Sequence, residues 1–174
     1  MDPRDTAPQP TRPQPTPPEP TDVPRSDLHL DDDGFVRAPV PLVYRRITDI
    51  GAWGEWWPGV KVNARSEPGE AERFDLTFRS RWPRRALRIE IRPHSWQHHD
   101  RFSFEYRGAL VGEGQWWLEP GWGGTVVHHW FVGYSELRHP LRALSIYRCA
   151  VRRGLWGFKD EVQSLVRTQA GRPA

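Results

Sequence analysis

Three stretches of this chain alternate apolar and polar residues in the same phase, and that repetition restricts the fold more than any other feature. Phe74, Leu76 and Phe78 share one side of an extended backbone while Asp75 and Thr77 share the other. The same happens with Leu87, Ile89 and Ile91 against Arg88 and Glu90, and with Phe102, Phe104 and Tyr106 against Ser103 and Glu105. Successive side chains of a strand point to opposite faces, so these are half-buried strands that pool one apolar side. Turn formers separate them: Pro83 in the first gap, residues 93–100 in the second, Gly108 before the next strand. Two more strands, 112–118 and 125–132, are joined through Pro120, Gly121, Gly123 and Gly124. Period two also begins near Lys61, and residues 28–36 read as a first strand or small hairpin interrupted by an acidic turn, Asp31, Asp32, Asp33 and Gly34.

An apolar sheet face must be covered, and residues 140–167 supply the cover. Leu141, Leu144, Tyr147, Val151, Leu155, Phe158, Val162 and Leu165 recur at spacings of three and four, an amphipathic helix of about seven turns. Earlier, residues 42–47 have helical spacing, Asp49 can cap a second short helix through Ala52 and Trp53, and Pro58 with Gly59 ends it. The order predicts an α+β helix-grip fold: a curved antiparallel sheet of about seven strands wrapped on a long C-terminal helix, with two short helices after strand 1.

Residues 1–25 carry nine of the chain's eighteen prolines and no aromatic residue, which predicts a disordered, partly polyproline tail. One domain is expected over residues 26–167, followed by a flexible 168–174. The single cysteine, Cys149, excludes an internal disulfide and reads as a small core residue of the long helix. No apolar run approaches the roughly 18 residues of a membrane span, and no signal-peptide stretch opens the chain, so a soluble cytoplasmic protein without stable membrane insertion is expected.

Ala38 and Pro39 before the first helix, Asp49 with Trp53 to Pro58, Gly114 to Pro120 in one strand and Gly124 with Thr125 opening the next stand in an order that resembles the START-related lipid-transfer superfamily (SRPBCC), within it the polyketide cyclase/dehydrase-like branch. The resemblance spans residues 34–166. It implies a ligand cavity between sheet and helix; it implies no particular reaction, because such folds host many.

With the apolar faces turned inward, a cavity would be lined by Phe74, Leu76, Phe78, Leu87, Ile89, Ile91, Phe102, Phe104, Tyr106, Trp116 and Leu118, with Phe131, Tyr147 and Val151 closing it. The inward polar candidates are Tyr106, Thr125, His129 and Tyr147. His129 points inward if Thr125, Val127, His129 and Phe131 face the helix, and a satisfied core histidine is then the favoured reading, a functional group the alternative. Gly154 sits on the helix's apolar stripe, leaving room either for a ligand or for a large residue such as Trp116. That register turns Trp117, Val126, His128, Trp130 and Val132 outward, an unusual surface for water. A homodimer through Trp117, His128 and Trp130 is the favoured explanation; a folded-back tail and a reversed register are the others.

No metal or other cofactor is expected: His128 and His129 are neighbours on a strand and face opposite ways, and His98, His99 and Asp100 occupy a turn. Arginines 79, 81, 84, 85, 88 and 92 alternate with apolar residues, which makes them a solvated sheet face and argues against nucleic acid. The leading expectation is therefore binding of a small hydrophobic molecule, whether lipid, polyketide or aromatic. An enzyme alternative, a polyketide cyclase or dehydratase, would use His129 as acid or base with Tyr106 or Tyr147 polarising a carbonyl. No carboxylate is evident to orient His129, since Asp75, Glu90 and Glu105 alternate outward. A third alternative is a protein-contact domain with a closed interior.

Overall fold

In the computed structural model, residues 28–65, 71–79, 86–97 and 100–170 are described. The expected tail over 1–25, the Pro83 turn, and His98 and His99 lie outside them. Seven strands form one antiparallel sheet: β1 Leu28–Val36, β2 Val60–Arg65, β3 Arg73–Arg79, β4 Ala86–Gln97, β5 Arg101–Gly108, β6 Val111–Gly121 and β7 Gly124–Tyr134. The spatial order is β1-β7-β6-β5-β4-β3-β2. Strands β2 to β7 meander, and β1 returns to pair with the last strand. Between β1 and β2 come α1 Val40–Thr48, a 3-10 turn Ile50–Ala52 and α2 Trp53–Trp56; α3 Pro140–Ala170 ends the described chain.

Helix α3 opens on Pro140, whose ring suits a first turn that needs no donor there, and its next free amides, Arg142 and Ala143, donate to the His139 carbonyl. Its buried stripe is Ala143, Tyr147, Ala150, Val151, Leu155, Phe158 and Val162, facing the inward residues of every strand. Burying each large side chain of this set contributes roughly 1.5–3 kcal/mol. Leu141, expected on the stripe, is instead 73% exposed, because at 3.6 residues per turn it lies about 140° round the helix from the line through Ala143 and Tyr147. Cys149 is likewise exposed rather than core.

Three local expectations are corrected. Asp31 to Gly34 form no turn: β1 is continuous and pairs with β7 from Leu28↔Gly133 to Val36↔Thr125. Pro93 does not end β4, which bulges between Pro93 and Ser95 and runs on to Gln97; a bulge is where a sheet tolerates a residue with no N–H. Asp49 makes no side-chain cap bond and lies 3.8 Å from Arg46 instead. Between β6 and β7, Trp122 (φ 47°) and Gly123 (φ 72°) make a two-residue hairpin turn closed by the Gly121↔Gly124 pair, and the positive φ at both positions is what this turn requires. Among the described residues no helix is long and apolar enough to cross a membrane.

The space between sheet and α3 is occupied by the α2 segment. Trp53, Trp56 and Trp57 are all buried, with Trp56 and Trp57 stacked at 5.6 Å and Trp57 edge-on to Phe78 at 5.5 Å. Two indoles are anchored: Trp53 Nε1 donates to the Ile47 carbonyl at 2.8 Å and Trp57 Nε1 to the Ala150 carbonyl at 2.7 Å. Helix α3 admits them because Gly154 and Gly157 have no side chain. A Cβ on Gly154 would overlap the Trp57 indole, and one on Gly157 would overlap the Trp56 carbonyl. The large residue against Gly154 is thus Trp57, not Trp116.

In an unobstructed helix Gly→Ala gains about 1 kcal/mol. Here overpacking costs about 1–3 kcal/mol, so Gly154→Ala and Gly157→Ala should each lower Tm by several degrees in thermal melts. A raised Tm would mean that the helix does not rest on the tryptophans as described.

Candidate functional site

The inner faces of β5, β6 and β7 converge under the middle of α3. Phe104 and Tyr106 come from β5, Trp116 from β6, His129 and Phe131 from β7, and Tyr147 from α3, every one of them 2% exposed or less. Alternation places them: His129 is fully buried while His128, its neighbour, faces out. The centre is a polar chain in aromatic surroundings. Tyr147 Oη lies 2.8 Å from His129 Nε2 and makes a short hydrogen bond with Tyr106 Oη. Phe104 lies parallel to the imidazole at 6.4 Å, Trp116 covers it at 4.3 Å, and Phe78 and Phe131 close on Tyr147.

Two proton orders satisfy these bonds: with Tyr106 donating to Tyr147 and Tyr147 to His129 Nε2 the imidazole proton sits on Nδ1, and the reverse order places it on Nε2. Burial sets every charge state. It pushes both phenols above their ordinary value, Tyr106 further raised by Tyr147 beside it. It drives His129 from 6.5 down to about 3, outweighing the nearby Gln115 backbone, which acts the other way. The trio is therefore neutral throughout the physiological range.

Two ring nitrogens in this cluster have no hydrogen bond of acceptable geometry among the described residues: His129 Nδ1 and Trp116 Nε1, on rings in contact with each other. Buried N–H groups are almost always satisfied, so this adjacent pair stands out within the cluster. The Gln115 backbone hydrogen-bonds the imidazole with poor alignment, so His129 Nδ1 is under-satisfied, whereas Trp116 Nε1 has no partner among the described residues.

The remaining predicted residues fall into three groups. Leu76, Leu87, Ile89, Ile91, Phe74, Phe102, Leu118 and Val151 are buried on the same inner surface but belong to the wider core, not the polar centre. Thr125 is buried at one end of β7, its hydroxyl donating to the Ala38 carbonyl at 2.7 Å. Gly154 lies under Trp57. Sequence reasoning missed Trp53, Trp56 and Trp57 as interior residues; the glycines at 154 and 157, one helical turn apart, were the available signal. It also missed an inward carboxylate. Asp32 is the cross-strand partner of His129, yet its side chain, 9% exposed, turns to α3 and accepts from Arg152 Nε at 2.8 Å, with Arg148 Nε 3.9 Å away. The Asp32 carboxylate is thus paired with arginines of α3, while His129 Nε2 is paired with Tyr147. Among the described residues no cluster of His, Cys, Asp or Glu could hold a metal ion.

No family model matches the sequence, and no curated protein does. Solved structures do. TTHA0849 of Thermus thermophilus aligns with a TM-score of 0.64 at 17% identity, over 79% of this chain and 99% of that one. The Zhui aromatase/cyclase of a Streptomyces species gives 0.62 at 17%, over 83% and 99%. A START superfamily protein of Mycobacterium smegmatis gives 0.63 at 13%, over 79% and 98%. Likeness at such identities shows the fold alone: this chain shares the helix-grip fold of these structures.

A histidine held neutral by the fold carries a signature. Its folded pKa lies below its unfolded value, so the unfolded chain takes the proton first. The stabilisation is complete above about pH 6.5 and is lost as pH falls toward 3, at up to about 1.4 kcal/mol per pH unit. Urea denaturation of the wild type and His129→Leu between about pH 4 and 7 should show the stability difference shifting against the wild type as acid is added. A difference that is flat with pH would contradict the buried neutral imidazole.

Proposed function

We propose that this protein binds a small, flat, aromatic molecule bearing a hydrogen-bond acceptor such as a carbonyl, held between sheet and α3 with the acceptor on His129 Nδ1 and Trp116 Nε1. The observation that carries the reading is that adjacent pair of buried, under-satisfied ring nitrogens in a wall of Phe104, Trp116, Phe131 and Tyr147. A few convergent polar groups in an aromatic surround fix orientation while apolar burial supplies affinity. On this reading the ligand takes its space beside the α2 segment, whose Trp57 ring lies 6.2 Å from Trp116. The fold's occurrence in a protein described as an aromatase/cyclase supports an aromatic or polyketide-like ligand.

Binding is favoured over acid–base catalysis by the charge states. A general base works best with a pKa near the operating pH, and an imidazole held at about 3 is a weak base at neutrality. The competing reading, a closed interior whose function lies on the outer face, is favoured by the close packing of Trp53, Trp56 and Trp57, and it expects no ligand at all.

Native mass spectrometry of the purified chain, followed by fluorescence titration with planar aromatic ketones and their deoxygenated counterparts, separates these readings. Ketones should bind more tightly than the hydrocarbons, and His129→Leu should cost about tenfold in affinity for the ketones alone, the size of one buried hydrogen bond. Failure of every compound to bind up to its solubility limit, with no co-purified ligand, would sink the proposal.

A further inference from the structure

The outer face of the sheet carries a second feature that ligand binding leaves unexplained. On β7, Val126, His128, Trp130, Val132 and Tyr134 all point away from α3 and are only half-buried, and Trp117 of β6 stacks on His128 at 4.6 Å with the planes 9° apart. His29 of β1 meets Trp130 edge-on. Outer positions of a half-covered antiparallel sheet are ordinarily polar.

The strand register organises this surface. Asp33 pairs with His128, His128 with Trp117, and Trp117 with Arg101, so one row across four strands reads acid, imidazole, indole, base. The neighbouring outward row reads Asp31, Trp130, Gln115, Ser103, and the one beyond it His29, Val132, Glu113, Glu105. Asp33 and Arg101 are exposed, and neither has an ion-pair partner among the described residues. A two-fold axis lying in the contact plane, parallel to the strands and above the boundary of β6 and β7, sends β1 of one copy over β5 of the other while keeping each row in line. Asp33 then faces the second copy's arginine at position 101, His29 faces its glutamate at 105, and the Trp117–His128 stacks meet at the centre. Such a patch is complementary to itself, which an isologous interface requires.

We propose that this face is the interface of a homodimer, two sheets packed face to face about that axis. Its size fits. Four strands spaced about 4.8 Å and spanning the eleven residues of β6 and β7 cover roughly 19 by 36 Å, comparable with the ~800 Å² per partner of a standard interface.

The test is light scattering and sedimentation of the full chain at about 100 µM and below, with Asp33→Arg, Arg101→Asp and the double charge swap. The wild type should be dimeric, each single reversal should weaken association about tenfold or more, and the swap should restore it. Both sites are exposed, and circular dichroism confirms that the variants fold. A wild type that is monomeric throughout overturns the proposal, as does a dimer indifferent to both reversals. Hydrogen exchange on the same samples covers the remaining occupant: a monomer in which exchange is slowed across residues 1–27 assigns the face to the N-terminal segment and also overturns it.

Discussion

The contact on which the rest of the structure depends is the seating of Trp53, Trp56 and Trp57 beneath α3. The helix comes close to the tryptophans only because residues 154 and 157 are glycines, and the indoles hold their place by donating to the Ile47 and Ala150 carbonyls. Without that wedge the grip would enclose a void between β3, β6 and the helix. With it, the sheet's inner face is closely packed, and each polar group left inside is there at a cost that must be offset locally.

That constraint explains the character of the centre. Tyr106, Tyr147 and His129 form one hydrogen-bonded chain, and burial keeps all three uncharged. The one inward carboxylate nearby, Asp32, is neutralised by arginines from α3 and not shared with the imidazole. What remains is a neutral, donor-bearing aromatic surface, chemistry suited to holding an uncharged acceptor. The Asp32 ion pair also ties β1 to α3, so the edge strand and the covering helix are held by charge where they meet the solvent.

Much of this was legible in the sequence, and the failures have physical causes. Strands β3, β4 and β5 were readable because alternation is a local signal, and α3 because its stripe persists for seven turns. His129 could be assigned to the interior only on the condition that Thr125, Val127 and Phe131 faced the helix too; the phase of β7 itself, with a histidine on either face, left the reversed register open. Asp31 to Gly34 misled because three carboxylates resemble a turn; what makes them a strand is β7 on one side and, for Asp32, an arginine 120 residues away. Leu141 and Cys149 were misplaced because spacing gives a stripe but not its centre line, which only the partner surface fixes. Trp53, Trp56 and Trp57 have no periodicity to read, and their destination was recorded only in the glycines opposite them. The outward aromatics of β6 and β7 were visible at once, but the Asp33 to Arg101 row that orders them exists only in the paired register.

The central claim is that His129 and Trp116 present two uncharged N–H donors to a ligand acceptor. Proton–nitrogen correlation spectra of the ring nitrogens test it directly. The account predicts a neutral His129 ring protonated on Nδ1 at neutral pH, with both the Nδ1 and Trp116 Nε1 protons moving downfield when an aromatic ketone is added. An imidazolium at neutral pH, or a bound ketone that leaves both protons where they were, would contradict it.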